Sequence, residues 1–325
     1  MNKEVDQTMP KNISVILLGL GNIGYQIDKS APAGVAVSHY RSFYNSTDFV
    51  VVAGVEPNDQ VRREFESKTN IPCFKGVEEV HGIQAQLAVI ATSPAERSQV
   101  VSTVLRYLRP TVILCEKPLA LTEKECREIV SMCERDNVQL YVNYFRRALP
   151  ELKEFKTALA LGDLGEVRKC CVWYSKGVLN SASHFLDLLI WFLGSSSVCG
   201  PFKISGKDKQ ISNEGDFYVE LGGVPCYFLK AFEEDFFHNT VEILTTKARV
   251  RLDSACRTID ISHASGTDLN GLKSLTDESE VVRLEWDKTQ EAVVNELRHF
   301  FNGHNSDLSS GYESLLVHSL LFEVI

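Results

Sequence analysis

Three short stretches of the chain carry residue types, at spacings, that suit redox chemistry on an alcohol. The first is Gly19-Leu20-Gly21-Asn22-Ile23-Gly24, a GxGxxG run directly after the apolar stretch Ile13–Leu18. Gly19 permits a tight turn, Gly21 lets the backbone approach a pyrophosphate, and Gly24 lets a helix and a strand pack closely. The N–H groups of Asn22, Ile23 and Gly24 at the helix start that should follow are placed to bind the anion. Glu56, after the second apolar run, is the candidate for the ribose. A carboxylate there accepts from both ribose hydroxyls and repels a 2′-phosphate, which favours NAD and leaves NADP open. It stands farther along than the roughly 20 residues usual for this motif; an insertion around 27–37, holding Pro32 and Gly34, accounts for the excess. A plain acid at a helix N-terminus is the competing reading of Glu56.

The second stretch is Glu116-Lys117-Pro118, which follows the apolar run Thr111–Cys115. In an open α/β sheet ligands bind at the carboxyl ends of strands. A lysine there can hydrogen-bond a substrate hydroxyl and take its proton as hydride departs, and partial burial would lower its pKa for that task. Pro118 would fix the backbone that aims it. An exposed loop lysine is the equally weighted alternative. Thr92-Ser93-Pro94 ends the preceding run in the same way; it borders the cofactor or merely caps a helix.

The third stretch runs from Asn180 to Asp187. His184 and Asp187 are three apart and share a helix face, so Asp187 can orient the ring, and histidine suits proton transfer near neutral pH. A structural His–Asp pair at a helix start explains the same residues. Arg146 and Arg147, after the fifth apolar run, either clamp a phosphate or carboxylate or are solvated charges. The eight histidines show no HExxH or paired-ligand spacing, so no metal is expected.

These residues need elements to hold them. In the first half, Ile13–Leu18, Phe49–Val55, Leu87–Ala91, Thr111–Cys115 and Gln139–Val142 read as strands, apolar on both faces as in a buried parallel sheet. Helical patterns at 58–68, 94–108 and 122–135 alternate with them, the last opening on the capping box Thr122–Glu125. The second half has helical patterns at 151–161 and 183–193. Long alternating runs at 216–232, 240–252, 258–262 and 281–286 follow, and helices at 290–301 and 312–324 close the chain. We therefore expect an α/β protein: a Rossmann domain over 1–145, with 1–11 flexible, and a substrate and dimerisation domain over 146–325 built on a large open, mostly antiparallel sheet.

With 325 residues the chain exceeds a single core, and a charged content of 24% is that of a globular protein. A net charge of −9 argues against nucleic acid. Nine scattered cysteines with no CxxC read as buried thiols of a reducing compartment. No apolar run reaches membrane-spanning length, and the polar first dozen residues do not read as a signal peptide. A cytoplasmic protein without membrane attachment is the expectation.

The three motifs in this order resemble the glucose–fructose oxidoreductase / inositol dehydrogenase / MocA family. The parts that carry the likeness are Gly19–Gly24, Glu116-Lys117-Pro118-Leu119-Ala120, Asn143-Tyr144-Phe145-Arg146-Arg147 and His184-Phe185-Leu186-Asp187. The resemblance implies hydride transfer between a nicotinamide and the hydroxyl or ketone carbon of a sugar or related alcohol. It places Lys117 and His184 at the reacting carbon, and implies a homodimer or homotetramer through the C-terminal sheet. Inositol dehydrogenase-like members carry Asp where this chain has Asn180. An amide orients a substrate but takes no proton, which turns the reading from polyols toward nucleotide-linked or modified sugars of bacterial surface-glycan pathways. A dinucleotide- or sugar-binding sensor without chemistry is the competing reading on the same fold, and an enzyme that retains its cofactor tightly is a third.

Overall fold

A computed structural model describes residues 12–32, 34–194, 197–203 and 215–325. The flexibility expected of residues 1–11 concerns residues outside this set. The chain divides into two compact units: one runs to Ala148 and takes back Asp287–Gly311, the other comprises Leu149–Trp286 and Tyr312–Ile325. A single cut near 145 does not describe this, because the segment after Asp287 returns to the first unit.

The first unit is a seven-stranded sheet. Its strands are β1 (Ile13–Leu18), β2 (Phe49–Val55), β3 (Cys73–Phe74), β4 (Leu87–Ile90), β5 (Val112–Cys115) and β6 (Gln139–Val142), with the two-residue strand Ser309–Ser310 at one edge. From that edge the order is β6-β5-β4-β1-β2-β3. The pairs within β1–β6 are all parallel, and Ser309–Ser310 pairs antiparallel with β6. This is the doubly wound Rossmann order, whose switch point lies between β1 and β4. Strands β4 and β5 are buried at every residue, as their uniformly apolar sequences require.

Helices α1 (His39–Tyr44), α2 (Asp59–Thr69), α3 (Arg97–Tyr107) and α4 (Glu123–Arg135) belong to this unit. Thr122 caps α4 as its sequence indicated, its hydroxyl accepting from the Glu125 N–H at 3.2 Å. The returning helix Thr289–Phe301 presents Val293, Val294, Leu297 and Phe301 to the same apolar core as β1, β4 and β5. Its spacing of apolar residues is that of a helix buried along one stripe.

One expectation is corrected here. The helix expected after the glycine run is only a single π-helical turn, Asn22–Gln26, in which the Gly21 carbonyl accepts from Tyr25 and Gln26, each at 3.0 Å. The chain then loops until Ser38, where the hydroxyl accepts from the Arg41 N–H at 3.1 Å and starts α1. The cause is Asp28, buried, which draws the N–H groups of Val37 and Ser38 back onto its carboxylate at 2.8 and 2.7 Å.

The second unit is a mostly antiparallel nine-stranded sheet built from β7 (Val167–Tyr174), β8 (Val198–Lys203), β9 (Phe217–Leu221), β10 (Val224–Lys230), β11 (Thr240–Thr245), β12 (Ala248–Asp253), β13 (Thr258–Thr267), β14 (Lys273–Leu275) and β15 (Glu280–Arg283). Among the described strands of this sheet, only β7 and β10 pair parallel. The alternating runs read as 216–232 and 240–252 each fold as a hairpin; in the first, Gly222 and Gly223 supply the positive φ values of the turn. Helix α5 (Pro150–Leu161) ends at Gly162, whose φ is +75°, and α6 (Ser183–Leu193) is buried at every residue from Ser183 to Trp191. Helix Gly311–Phe322 closes the chain.

Candidate functional site

The carboxyl ends of β1, β4 and β5 converge at the switch point of the first unit. Gly19 has φ +87°, and a Cβ there would lie 2.8 Å from the backbone of Ala91. A Cβ on Gly24 would lie 2.1 Å from the Gly19 carbonyl oxygen. Neither position has room for a side chain. Gly21 differs: a Cβ there meets nothing within 4 Å, and Gly21 and Asn22 are exposed while Ile23 is half-buried. The glycine loop is thus packed tightly below and open above, which is the shape a pyrophosphate needs.

Glu56 stands just past β2. Its carboxylate accepts from the Leu20 N–H at 2.9 Å through one oxygen and from the Asn58 N–H at 2.9 Å through the other. Each oxygen has two acceptor sites, so one remains on each for a ribose hydroxyl. Asn58 also caps α2, which makes Glu56 a residue of the strand end and not of the helix. A cleft of about 310 Å³ beside it is lined by Gly19, Val55, Pro57, Gly76 and Thr92, among others. The Thr92 hydroxyl oxygen is buried with no hydrogen-bond partner. Tight glycines, an open Gly21, a two-oxygen acid and an unsatisfied hydroxyl together fit a dinucleotide.

Beyond β5, Glu116 and Lys117 project from a loop whose Lys117–Pro118 peptide is cis. The Glu116 carboxylate accepts from Asn143 Nδ2 at 2.6 Å and lies 2.8 Å from His39 Nε2. Burial alone would raise its pKa, but the hydrogen bonds from His39 and Asn143 and the nearby positive charges prevail and hold it below the ordinary carboxylate value. Lys117 is half-buried. Burial pushes its ammonium below the ordinary lysine value; Glu116 opposes the shift, and Arg146 and Arg97 reinforce it. This is the direction a proton-accepting lysine requires.

Arg97, 1% exposed, binds the two strand-end loops together. It donates to the carbonyls of Thr92 and Glu116, each at 2.5 Å, and to that of Pro118. Ser93 lies in the turn before it, its hydroxyl 3.4 Å from the Ala95 N–H, so 94–96 is a turn and the helix expected from Pro94 begins at Arg97. Arg146 and Arg147 lie in the short helix Phe145–Ala148 and are both buried, with the Arg146 guanidinium 4.8 Å from the Phe145 ring centroid. They are not solvated charges.

The structure therefore gathers Gly19, Gly21, Gly24, Glu56, Thr92, Glu116, Lys117 and Arg146 in one unit. Asn180, His184 and Asp187 belong to the other. There, Asn180 is exposed in the turn Val178–Ala182, and His184 and Asp187 are buried in the first turns of α6. Sequence reasoning missed Arg97, His39 and Gln290. An arginine in the first turn of a helix opposes the macrodipole and so asks for another explanation. Gln290 interrupts the apolar stripe of its helix and donates nothing to the core; its Oε1 accepts from Asn143 Nδ2 at 3.0 Å. Nothing in the sequence marks His39.

The order of the sheet and the glycine loop define a dinucleotide-binding Rossmann domain. Residues 13–144 match the Gfo/Idh/MocA model, an oxidoreductase family with an NAD-binding Rossmann fold. Over 96 residues the chain is 38% identical to the rhizopine catabolism protein MocA of Rhizobium meliloti, a match covering 25% of this chain and 30% of that protein. Two solved structures share the fold over nearly their whole length. One is the WlbA dehydrogenase of Bordetella pertussis, in complex with NADH and UDP-GlcNAcA, at a TM-score of 0.70 and 18% identity, covering 97% of this chain and 94% of that one. The other is a super-repressor mutant of Gal80p from Saccharomyces cerevisiae, at a TM-score of 0.74 and 15% identity, covering 96% and 95%. Fold likeness thus spans a dehydrogenase and a super-repressor mutant, and does not by itself fix the chemistry.

Proposed function

We propose that this chain is an NAD(P)-dependent dehydrogenase acting on a CH–OH group of a sugar or sugar derivative, with NAD preferred. The observation that carries the reading is Lys117: half-buried, its pKa lowered by that burial, and set at the same strand ends as the glycine loop. The cofactor, when bound, supplies the hydride acceptor. The backbone of Gly21–Gly24 holds the pyrophosphate and Glu56 the ribose. Lys117 accepts the hydroxyl proton as the C–H bond gives up hydride, and returns it to the ketone oxygen in reverse. The family resemblance assigns His184 to the same proton transfer, with Asp187 orienting it and Asn180 holding the substrate. Asn180 in place of an acid supports the finer reading of a nucleotide-linked sugar, as in surface-glycan synthesis.

The cytoplasm is the proposed location, supported by nine cysteines that are all free thiols. The proposed partner is a second copy of the chain, docked on the outer face of the nine-stranded sheet. There Phe202, Tyr218 and Tyr227 form a stacked row, with centroids 4.8 and 5.5 Å apart, and Trp173 is 40% exposed. Aromatic rows of this kind mark interfaces.

The test is binding of NAD and NADP followed by turnover on a panel of nucleotide sugars, sugar acids and polyols, for the wild type and Lys117→Ala. We expect reduction of NAD by a panel member, with kcat lowered roughly 100- to 10,000-fold in Lys117→Ala while NAD binding persists. Tight dinucleotide binding with no turnover on any panel member would favour the sensor reading.

A further inference from the structure

The loop between the glycine turn and α1 is a built structure. Asp28 takes two N–H groups of the returning chain, and Arg41 answers from α1 by donating to the carbonyls of Asp28 and Ala31 at 2.6 and 3.0 Å. The Ser42 hydroxyl adds a bond to the Ser38 carbonyl at 2.8 Å. Held at its N-terminal side, α1 delivers His39 in its first turn, the side chain 2% exposed, to a point 2.8 Å from Glu116 Oε1.

Glu116 is the residue before Lys117, and its other oxygen accepts from the Lys117 N–H at 3.3 Å. Several charged and polar groups surround this carboxylate. Arg97 from α3 holds the Glu116 carbonyl, Asn143 past β6 shares Oε1 with His39, and Gln290 holds Asn143 from the returning helix. Arg146 is close enough to act on the Lys117 charge. His39 is a titratable side chain in direct contact with the carboxylate. A carboxylate beside an amine strengthens the amine's hold on its proton, and a donor fixed on that carboxylate draws its charge away.

We infer that His39 is a positioning residue: through its hydrogen bond it fixes the Glu116 carboxylate and so governs how strongly that carboxylate holds a proton on the Lys117 amine. The insertion thus tunes the Lys117 site from another part of the fold. The inference rests on the reading of Lys117 as the residue that handles the proton, but its test needs no substrate. The rate of acetylation of Lys117 by acetic anhydride, read by mass spectrometry across pH, reports the titration of its amine. His39→Gln keeps an N–H where Nε2 lies, and His39→Asn does not reach. We expect the Lys117 titration to rise by about one unit in His39→Asn, to stay near the wild type in His39→Gln, and the asparagine effect to vanish when Glu116→Gln is added. A second measurement needs no His39 variant: the ring-proton resonance of His39 should move upfield in Glu116→Gln. No shift or a downward shift in His39→Asn would overturn the inference. So would a shift of the same size in the Glu116→Gln background, or a His39 resonance indifferent to Glu116→Gln. Failure of the acid–base reading would show separately, as turnover retained by Lys117→Ala with these labelling results unchanged.

Discussion

Arg97 Nη1 donates to the carbonyl oxygen of Glu116 at 2.5 Å, across 19 residues of sequence. A buried cation is spent on holding main-chain carbonyls, and the loop it holds is the one that carries Lys117.

Arg97→Met should therefore destabilise the chain by about 2–4 kcal/mol, because carbonyls bonded to a charged donor lose it inside the protein. Arg97→Lys should recover part of that stability and little of the turnover, since one ammonium cannot reach loops that a planar fork spans. Denaturant unfolding and kcat for both variants check this; full activity in Arg97→Lys would refute the loop-holding role.

The last two glycines of the loop should separate stability from binding. Gly24→Ala places a Cβ against the Gly19 carbonyl and should lower the melting temperature clearly. Gly21→Ala places its Cβ in open space, so the melting temperature should hold while NAD affinity falls at least tenfold. Thermal denaturation and calorimetric titration distinguish the two; equal losses of stability would contradict it.

Glu56→Gln should lose preference between cofactors. The amide keeps an acceptor for one ribose hydroxyl but no longer repels a 2′-phosphate, so the ratio of NADP to NAD dissociation constants should fall roughly tenfold. An unchanged ratio would mean that Glu56 serves only to tie Leu20 and Asn58.

The pH dependence follows from two depressed pKa values. Lys117 titrates below the ordinary lysine value, so kcat for oxidation should rise with pH and level off before free lysine would titrate at about 10.4. Reduction should show the mirror image. Glu116 also titrates below its ordinary value, so its ionised form favours the native state: that stability is present above about 4.3 and lost as pH falls through its folded pKa. Acid unfolding should accordingly be shallower in Glu116→Gln than in the wild type.

Trp173→Glu combined with Tyr227→Glu should convert a sedimenting dimer to monomer without lowering the melting temperature of the unit itself. A wild type that sediments as a monomer would remove the proposed interface.

Much of this was legible in the sequence where patterns are local. The strands of the first unit and the capped helix α4 follow from apolar runs and from Thr122, and the glycine loop lies where its spacing put it. That the helix stops after the single turn Asn22–Gln26 was not legible, because it is set by Asp28 reaching amides at Val37 and Ser38. The strand Cys73–Phe74 is two residues long, too short to show a period. Lys117 and Glu56 were proposed from motifs. Arg97, His39 and Gln290 serve the site by contacts between distant segments, which no spacing encodes.

The return of Asp287–Gly311 to the first unit bears on how the chain is made. A nascent polypeptide that has emerged as far as Ala148 holds all six parallel strands, yet lacks the helix that carries Val293, Val294, Leu297 and Phe301 into their core, and lacks Gln290 for Asn143. Residues 149–286 must be synthesised before the nucleotide domain can close. Until then an apolar flank of its sheet stays bare, so the domain begun first waits on most of the second before it is finished.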